Sequence, residues 1–256
     1  MGIHYITGRS GSGKTMQVYR EIQEALAQGD SPLILMVPEQ FTLQAERDLI
    51  QNLNLPGILD VEVLSFSRLA HKVFNEAGGL TKTHINEQGK HMILRRLLDD
   101  LRDHLTVYKT VSRQNGFIDK INDLITDLKK HDITPEQMRQ KAEELDNAGL
   151  LSGKLLDTAL IYEAFNNYLQ DRYIDSEDAM NALVNLMEAE REGRGPRKSG
   201  FLFGARIWMD GFDYYTPQTL RVIEQLALFA RDLTITFTMG MDNNSQNQDV
   251  FRVHAI

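Results

Sequence analysis

Residues 8–15 read G-R-S-G-S-G-K-T. The spacing G-x-x-x-x-G-K-[ST] is that of a loop whose backbone N–H groups wrap around phosphate oxygens, with the next helix offering its positive end to them. In this reading Gly8, Arg9, Ser10, Gly11, Ser12 and Gly13 form the cradle. Lys14 reaches the β- and γ-phosphates, and the Thr15 hydroxyl meets a Mg²⁺ ion that takes few protein ligands. A second magnesium anchor is needed, usually an Asp at the carboxyl end of a neighbouring strand. The run R-I-W-M-D ends in Asp210 and supplies one. The residue that follows is Gly211, where many helicase-type ATPases carry a Glu to polarise the attacking water. Asp210 capping a turn with Gly211 is the competing reading, and Asp213 stands three positions on. Binding of a nucleoside triphosphate with weak or absent hydrolysis is therefore expected.

The elements that must position these groups follow from the apolar pattern. Residues 3–6, 33–37 and 61–64 are short apolar strands, each followed by a helical stretch, which is the βαβ rhythm of a parallel sheet. Residues 83–191 carry apolar positions at three- and four-residue spacing, and no convincing strand. Thr134 before Pro135 reads as a helix cap, and Ser176 before Glu177 and Asp178 as a second start. Residues 192–200 form a polar, turn-rich connector, after which strand 207–209, a helix from Pro217 and strand 233–238 resume the α/β rhythm. The expected fold is a P-loop NTPase-type α/β parallel sheet interrupted by an all-helical insertion. Residues 1–82 are its first part, 83–198 the insertion and 199–256 the return, and the ending reads as that of a fragment.

Composition narrows the functional classes. With 28 Lys and Arg against 36 Asp and Glu the chain is acidic, net charge −8, so any DNA contact has to come from local patches. No Cys is present, which removes disulfides, Cys-held zinc and iron–sulfur clusters within this chain. No signal peptide or membrane span is evident, so a soluble cytoplasmic protein is expected. Weaker candidates are the basic spots Arg95–Arg96, Lys129–Lys130–His131 and Arg194, Arg197, Lys198. His84, His91 and His104 lack a carboxylate-rich metal pattern. Tyr214 and Tyr215 are the better base-stacking candidates among the aromatics around Trp208. Ser65 and Arg68 follow a strand end, where ligands bind in open sheets, and helix capping by Ser65 or Ser67 explains them equally well.

Beyond GRSGSGKT, the stretches VPEQ (37–40), LSFSRLA (64–70), GFIDKINDLITDLKKHDITPEQM from Gly116, KLLDTALIYEAFNNYLQDRYID from Lys154 and MDGFDYYTPQ from Met209 occur in order through nearly the whole chain. Together they resemble the AddB (RexB) family, the B subunits of bacterial ATP-dependent helicase-nucleases that process double-strand DNA ends for recombination and repair. The resemblance implies a superfamily 1 helicase-like core split by a helical subdomain, with DNA and a motor A subunit as partners in a heterodimer. Family members continue to a nuclease domain with a divalent metal and a Cys-held iron–sulfur cluster; no nuclease residue can be assigned here. It carries over ATP phosphate contacts to Gly8, Gly11, Gly13, Lys14 and Thr15, and a Mg²⁺ contact to Asp210. An active DNA-dependent ATPase motor and a small-molecule P-loop kinase are the alternatives.

Overall fold

The computed structural model describes residues 2–30, 32–53, 61–77, 82–145, 149–170, 172–194 and 200–239. In chain order the elements are β1 (Gly2–Gly8), α1 (Lys14–Ala27), β2 (Leu33–Met36), α2 (Thr42–Leu53), β3 (Val61–Leu64), α3 (Phe66–Ala77), β4 (Thr83–His84), α4 (Glu87–Leu101) and α5 (Asn115–Lys130). They continue with α6 (Pro135–Glu144), α7 (Leu150–Leu169), β5 (Tyr173–Ile174), α8 (Ser176–Arg191), β6 (Arg206–Met209), α9 (Pro217–Phe229) and β7 (Asp232–Thr238). The chain divides into two compact units, Met1–Gly79 with Ala182–Ile256, and Leu80–Asn181.

The first unit is built on a five-stranded parallel sheet in the order β1-β7-β6-β2-β3. β2 reads L-I-L-M and is buried throughout, as expected of a central parallel strand covered on both faces. One face carries Leu33, Leu35, Val61, Val63 and Trp208, which close a core with Val18 and Ile22 of α1 and Leu49 of α2. The strands contributed by the later part of the chain, β6 and β7, lie between β1 and β2. That order puts the ends of β1, β7 and β6 side by side, with Met209 opposite Met36 and Gly8 opposite Thr238. Asp210, 195 residues from Thr15 in sequence, is thereby brought to the end of β1.

The second unit is mainly helical. Leu94, Leu98, Ile121, Ile125, Ala159 and Phe165 form its apolar centre. Thr134 caps α6 in a reciprocal box with Gln137, and Pro135 occupies the first turn. One expectation needs correction. A two-residue parallel pair, Thr83–His84 with Tyr173–Ile174, lies in the stretch read as free of strands, because so short a pairing leaves no periodicity to detect. α8 begins at Ser176, as its sequence announces, and Asp175 caps it, its carboxylate accepting from the N–H of Asp178 at 2.8 Å.

A candidate nucleotide site at the carboxyl end of the sheet

β1 delivers the chain at Gly8 into a loop closed by a hydrogen bond from Ser12 N–H to the Arg9 carbonyl, 3.1 Å. Gly11 and Gly13 have φ of 75° and 88°, the left-handed region that residues with a Cβ adopt only under strain. Gly13 occupies the N-cap position of α1 without a side chain to cap it, and the first turn of α1 holds no acid. By contrast α4, α6 and α9 are capped by Asn86, Thr134 and Thr216. The start of α1 therefore keeps its amide donors and its positive end for another partner. An open cleft of about 390 Å³ lies over this loop, lined by Thr7, Gly8, Arg9, Ser12, Lys14 and Gln17. The Lys14 ammonium folds over the loop and donates to the carbonyls of Gly8 (3.1 Å) and Arg9 (3.0 Å). These are exchangeable partners that an anion in the cleft can replace.

Three elements converge on Asp210. Thr15 Oγ1 on α1 donates to its Oδ2 at 2.7 Å, and Thr236 Oγ1 on β7 donates to its Oδ1 at 2.7 Å. The Asp210 side chain is nearly buried, and its backbone N–H donates to the Met36 carbonyl at 2.9 Å, holding the strand end against β2. Its charge is felt nearby. Burial first, then the charge of Asp48 and that of Asp210, push the Tyr19 hydroxyl up to about 12. Burial and Asp210 raise Tyr215 as well. A hydroxyl and a carboxylate in contact form an all-oxygen donor pair suited to Mg²⁺ and poorly suited to soft metals. The residues present thus fit both a phosphate chain and its metal.

Gly211 follows with φ of 77°, and a Cβ built on it would lie 3.8 Å from Pro38 Cδ. The backbone turns left-handed where a water-polarising side chain would begin. Asp213 is exposed.

Nothing local in the sequence singles out Thr236. It stands on the alternating strand L-T-I-T-F-T, but only the sheet order reveals that it faces Asp210. Ser65 proves to be a cap of α3, accepting from Arg68 N–H at 3.1 Å, and its hydroxyl donates to the Glu39 carboxylate. Arg68 is engaged by Glu46 at 2.8 Å. Tyr214 is 65% exposed, whereas Tyr215 is packed between Phe212 and Phe237, so only the former presents an open ring. Lys129 is no surface cation: it is buried against Asp175 (2.6 Å) and Asp178 (2.8 Å). Arg95 and Arg96 are exposed on α4, and Arg194 pairs with Glu192. Arg197 and Lys198 lie outside the described residues, as do 242–256.

A family model described as ADDB, N-terminal, matches residues 5–255. The chain is 49% identical over 255 residues to the B subunit of the ATP-dependent helicase/deoxyribonuclease of Alkaliphilus oremlandii, covering 99% of this chain and 22% of that protein. Proteins of the same name from Thermoanaerobacter sp. and Clostridium tetani are 41% and 36% identical, over 98% and 97% of this chain and 21% of each relative. The chain spans about a fifth of the length of these relatives. With the match running through both units, this chain belongs to the ADDB N-terminal family.

Proposed function

We propose that this chain is the nucleotide-holding, helicase-like region of the B subunit of an ATP-dependent helicase-nuclease. The complex would act on DNA double-strand ends in recombinational repair, as a heterodimer with an A subunit. The relatives' shared name, which makes each the B subunit of an ATP-dependent helicase/deoxyribonuclease, supports the general role and the need for a partner. On this reading the parallel sheet is a P-loop NTPase core and the helical unit an insertion in it. Gly8 to Gly13 cradle the phosphates, Lys14 exchanges its two carbonyl partners for phosphate oxygens, and Thr15 with Asp210 holds Mg²⁺. Bound magnesium supplies charge neutralisation on the phosphate oxygens.

The observation that carries this reading is the Thr15–Asp210 contact beside a bare Gly211. The half of the site that holds a nucleotide is complete, and the half that positions water lacks its usual side chain. Positioning supplies most of the catalysis in phosphoryl transfer, so a well-held nucleotide should turn over slowly.

The test is titration of ATP into the purified chain with and without Mg²⁺, followed by calorimetry, with Lys14→Ala as the comparison. Loss of one charged donor to phosphate is expected to cost about 1.5–3 kcal/mol, roughly a ten- to hundredfold loss of affinity. Single-turnover hydrolysis of prebound ATP should run well below the roughly 1–100 s⁻¹ of kinases. An unchanged dissociation constant in Lys14→Ala would remove the site assignment. Hydrolysis at several turnovers per second that vanishes in Lys14→Ala would make the chain a competent ATPase.

A further inference from the structure

The space that a side chain at position 211 would enter is bordered by the chain leaving β2. Asp210 N–H donates to the Met36 carbonyl, Met36 is paired with Met209, and Pro38 Cδ lies 3.8 Å from the Cβ built on Gly211. The next residue beyond Pro38 is Glu39, an exposed carboxylate in the turn Glu39–Phe41. Glu21 accepts from Trp208 Nε1 at 2.9 Å, and Glu46 from Arg68. Among the described residues, the Glu39 carboxylate is bound by the hydroxyl of Ser65. Ser65 lies at the end of β3, on the side of β2 away from β6. In this conformation Glu39 is thus drawn away from Asp210, across its own strand.

Resting on the nucleotide-site reading above, we propose that Glu39 is the water-orienting carboxylate of this site, supplied from the neighbouring strand, and that Ser65 holds it in reserve. The reaction it serves converts ATP and water to ADP, inorganic phosphate and a proton. The water oxygen forms a bond to the γ-phosphorus as the bond from that phosphorus to the bridging oxygen breaks, its electron pair leaving with ADP. Glu39 takes the proton that the water gives up and later releases it to solvent. Ser65 is suited to act as a clasp because its one hydroxyl proton goes to Glu39 while its oxygen accepts from Arg68 N–H. It is nearly fully buried at the start of α3, so a shift of that helix start is transmitted directly to the carboxylate. Slow turnover then has a second cause beside Gly211: the available carboxylate is engaged elsewhere.

The test compares binding of a ground-state mimic with that of a transition-state mimic, read from the fluorescence of Trp208. Trp208 is the sole Trp of the chain and is tied to α1 through Glu21. Glu39→Gln keeps the shape of an exposed side chain and removes its charge. It is expected to leave the affinity for a non-hydrolysable ATP analogue within about twofold, while weakening ADP with aluminium fluoride by about tenfold or more, since a water-orienting group acts on the transition state selectively. Ser65→Ala is expected to raise single-turnover hydrolysis, with thermal unfolding as a check on its lost cap; if it does not fold, the Glu39→Gln comparison decides alone. Equal affinities for both mimics in wild type and Glu39→Gln would overturn the role of Glu39 and leave the nucleotide site intact. Failure of the wild-type chain to bind either mimic would overturn the site and this proposal with it.

Discussion

At Asp210 the two carboxylate oxygens have separate partners, Thr15 from the loop helix and Thr236 from the strand between. The side chain is thereby oriented before any ligand arrives, which lowers the cost of ordering it on binding. Gly211 sets the opposite condition one residue later. Its left-handed φ of 77° makes any other residue strained there, at about 1–3 kcal/mol. Restoring the Glu found in many helicase-type ATPases is thus a poor route to hydrolysis. Gly211→Glu is expected to lower unfolding stability in urea by about that amount. With the backbone strained at that point, no gain in phosphate release is expected. Faster release at unchanged stability would show that the backbone relaxes and that the missing side chain at 211 is what keeps turnover low.

Within the helical unit, a single carboxylate on α7 does the work of a helix cap for a loop far away in sequence. Asp157 is buried and accepts from the successive N–H groups of Thr106 (3.0 Å), Val107 (2.8 Å) and Tyr108 (2.8 Å), and from the Thr106 hydroxyl (3.1 Å). Asp157→Ala leaves these donors without their acceptor and is expected to cost about 2–4 kcal/mol in denaturant unfolding, with Asp157→Asn losing less because one oxygen remains. A loss below a few tenths of that range in the Ala variant would mean that water satisfies the loop. Nothing in L-L-D-T-A-L-I-Y marks Asp157 as other than a polar position on a helix, because its partners lie about fifty residues earlier. The same reasoning sorts what was legible. Thr134 and Pro135 announce α6 because cap and helix are adjacent in sequence. The G-x-x-x-x-G-K-T loop is legible as a glycine turn between strand and helix because all of its determinants are adjacent in sequence. The order of the sheet is not, since a strand carries no label for its neighbours, and the insertion of β6 and β7 between β1 and β2 is what creates the Asp210 contacts.

Across the whole molecule, acidic composition is offset in part by cations buried where they were least expected. Burial alone would lower Lys129, but the charges and hydrogen bonds of Asp175 and Asp178 outweigh it and hold the ammonium above its ordinary value. Lys90 is raised in the same way, burial being outweighed by Glu177 and Glu87. Tyr162 is pushed up to about 12, chiefly by burial, and Tyr19 to about 12 by burial and two acids. Each of these groups has a folded value above its unfolded one, which is about 10.4 for Lys and 10 for Tyr. A raised group contributes stability that is full below the unfolded value and is lost as pH climbs through the folded one. The sign is therefore the same for all four, and the window opens at about pH 10 and extends beyond 12. A chain already at −8 also accumulates further negative charge over that range, which adds repulsion in the same direction. Thermal unfolding followed by helical circular dichroism should give midpoints that are level from pH 8 to about 9.5 and fall steeply above 10. Tyr162→Phe keeps the ring and removes the ionisable hydroxyl, so its midpoint should fall less between pH 10 and 12 than that of the wild type. Lys129→Met should already be destabilised at pH 8, by about 3–5 kcal/mol, because the buried Asp175 and the part-exposed Asp178 both lose their direct ion-pair partner. Equal alkaline slopes in wild type and both variants would show that the fall comes from general charge repulsion and not from these buried groups.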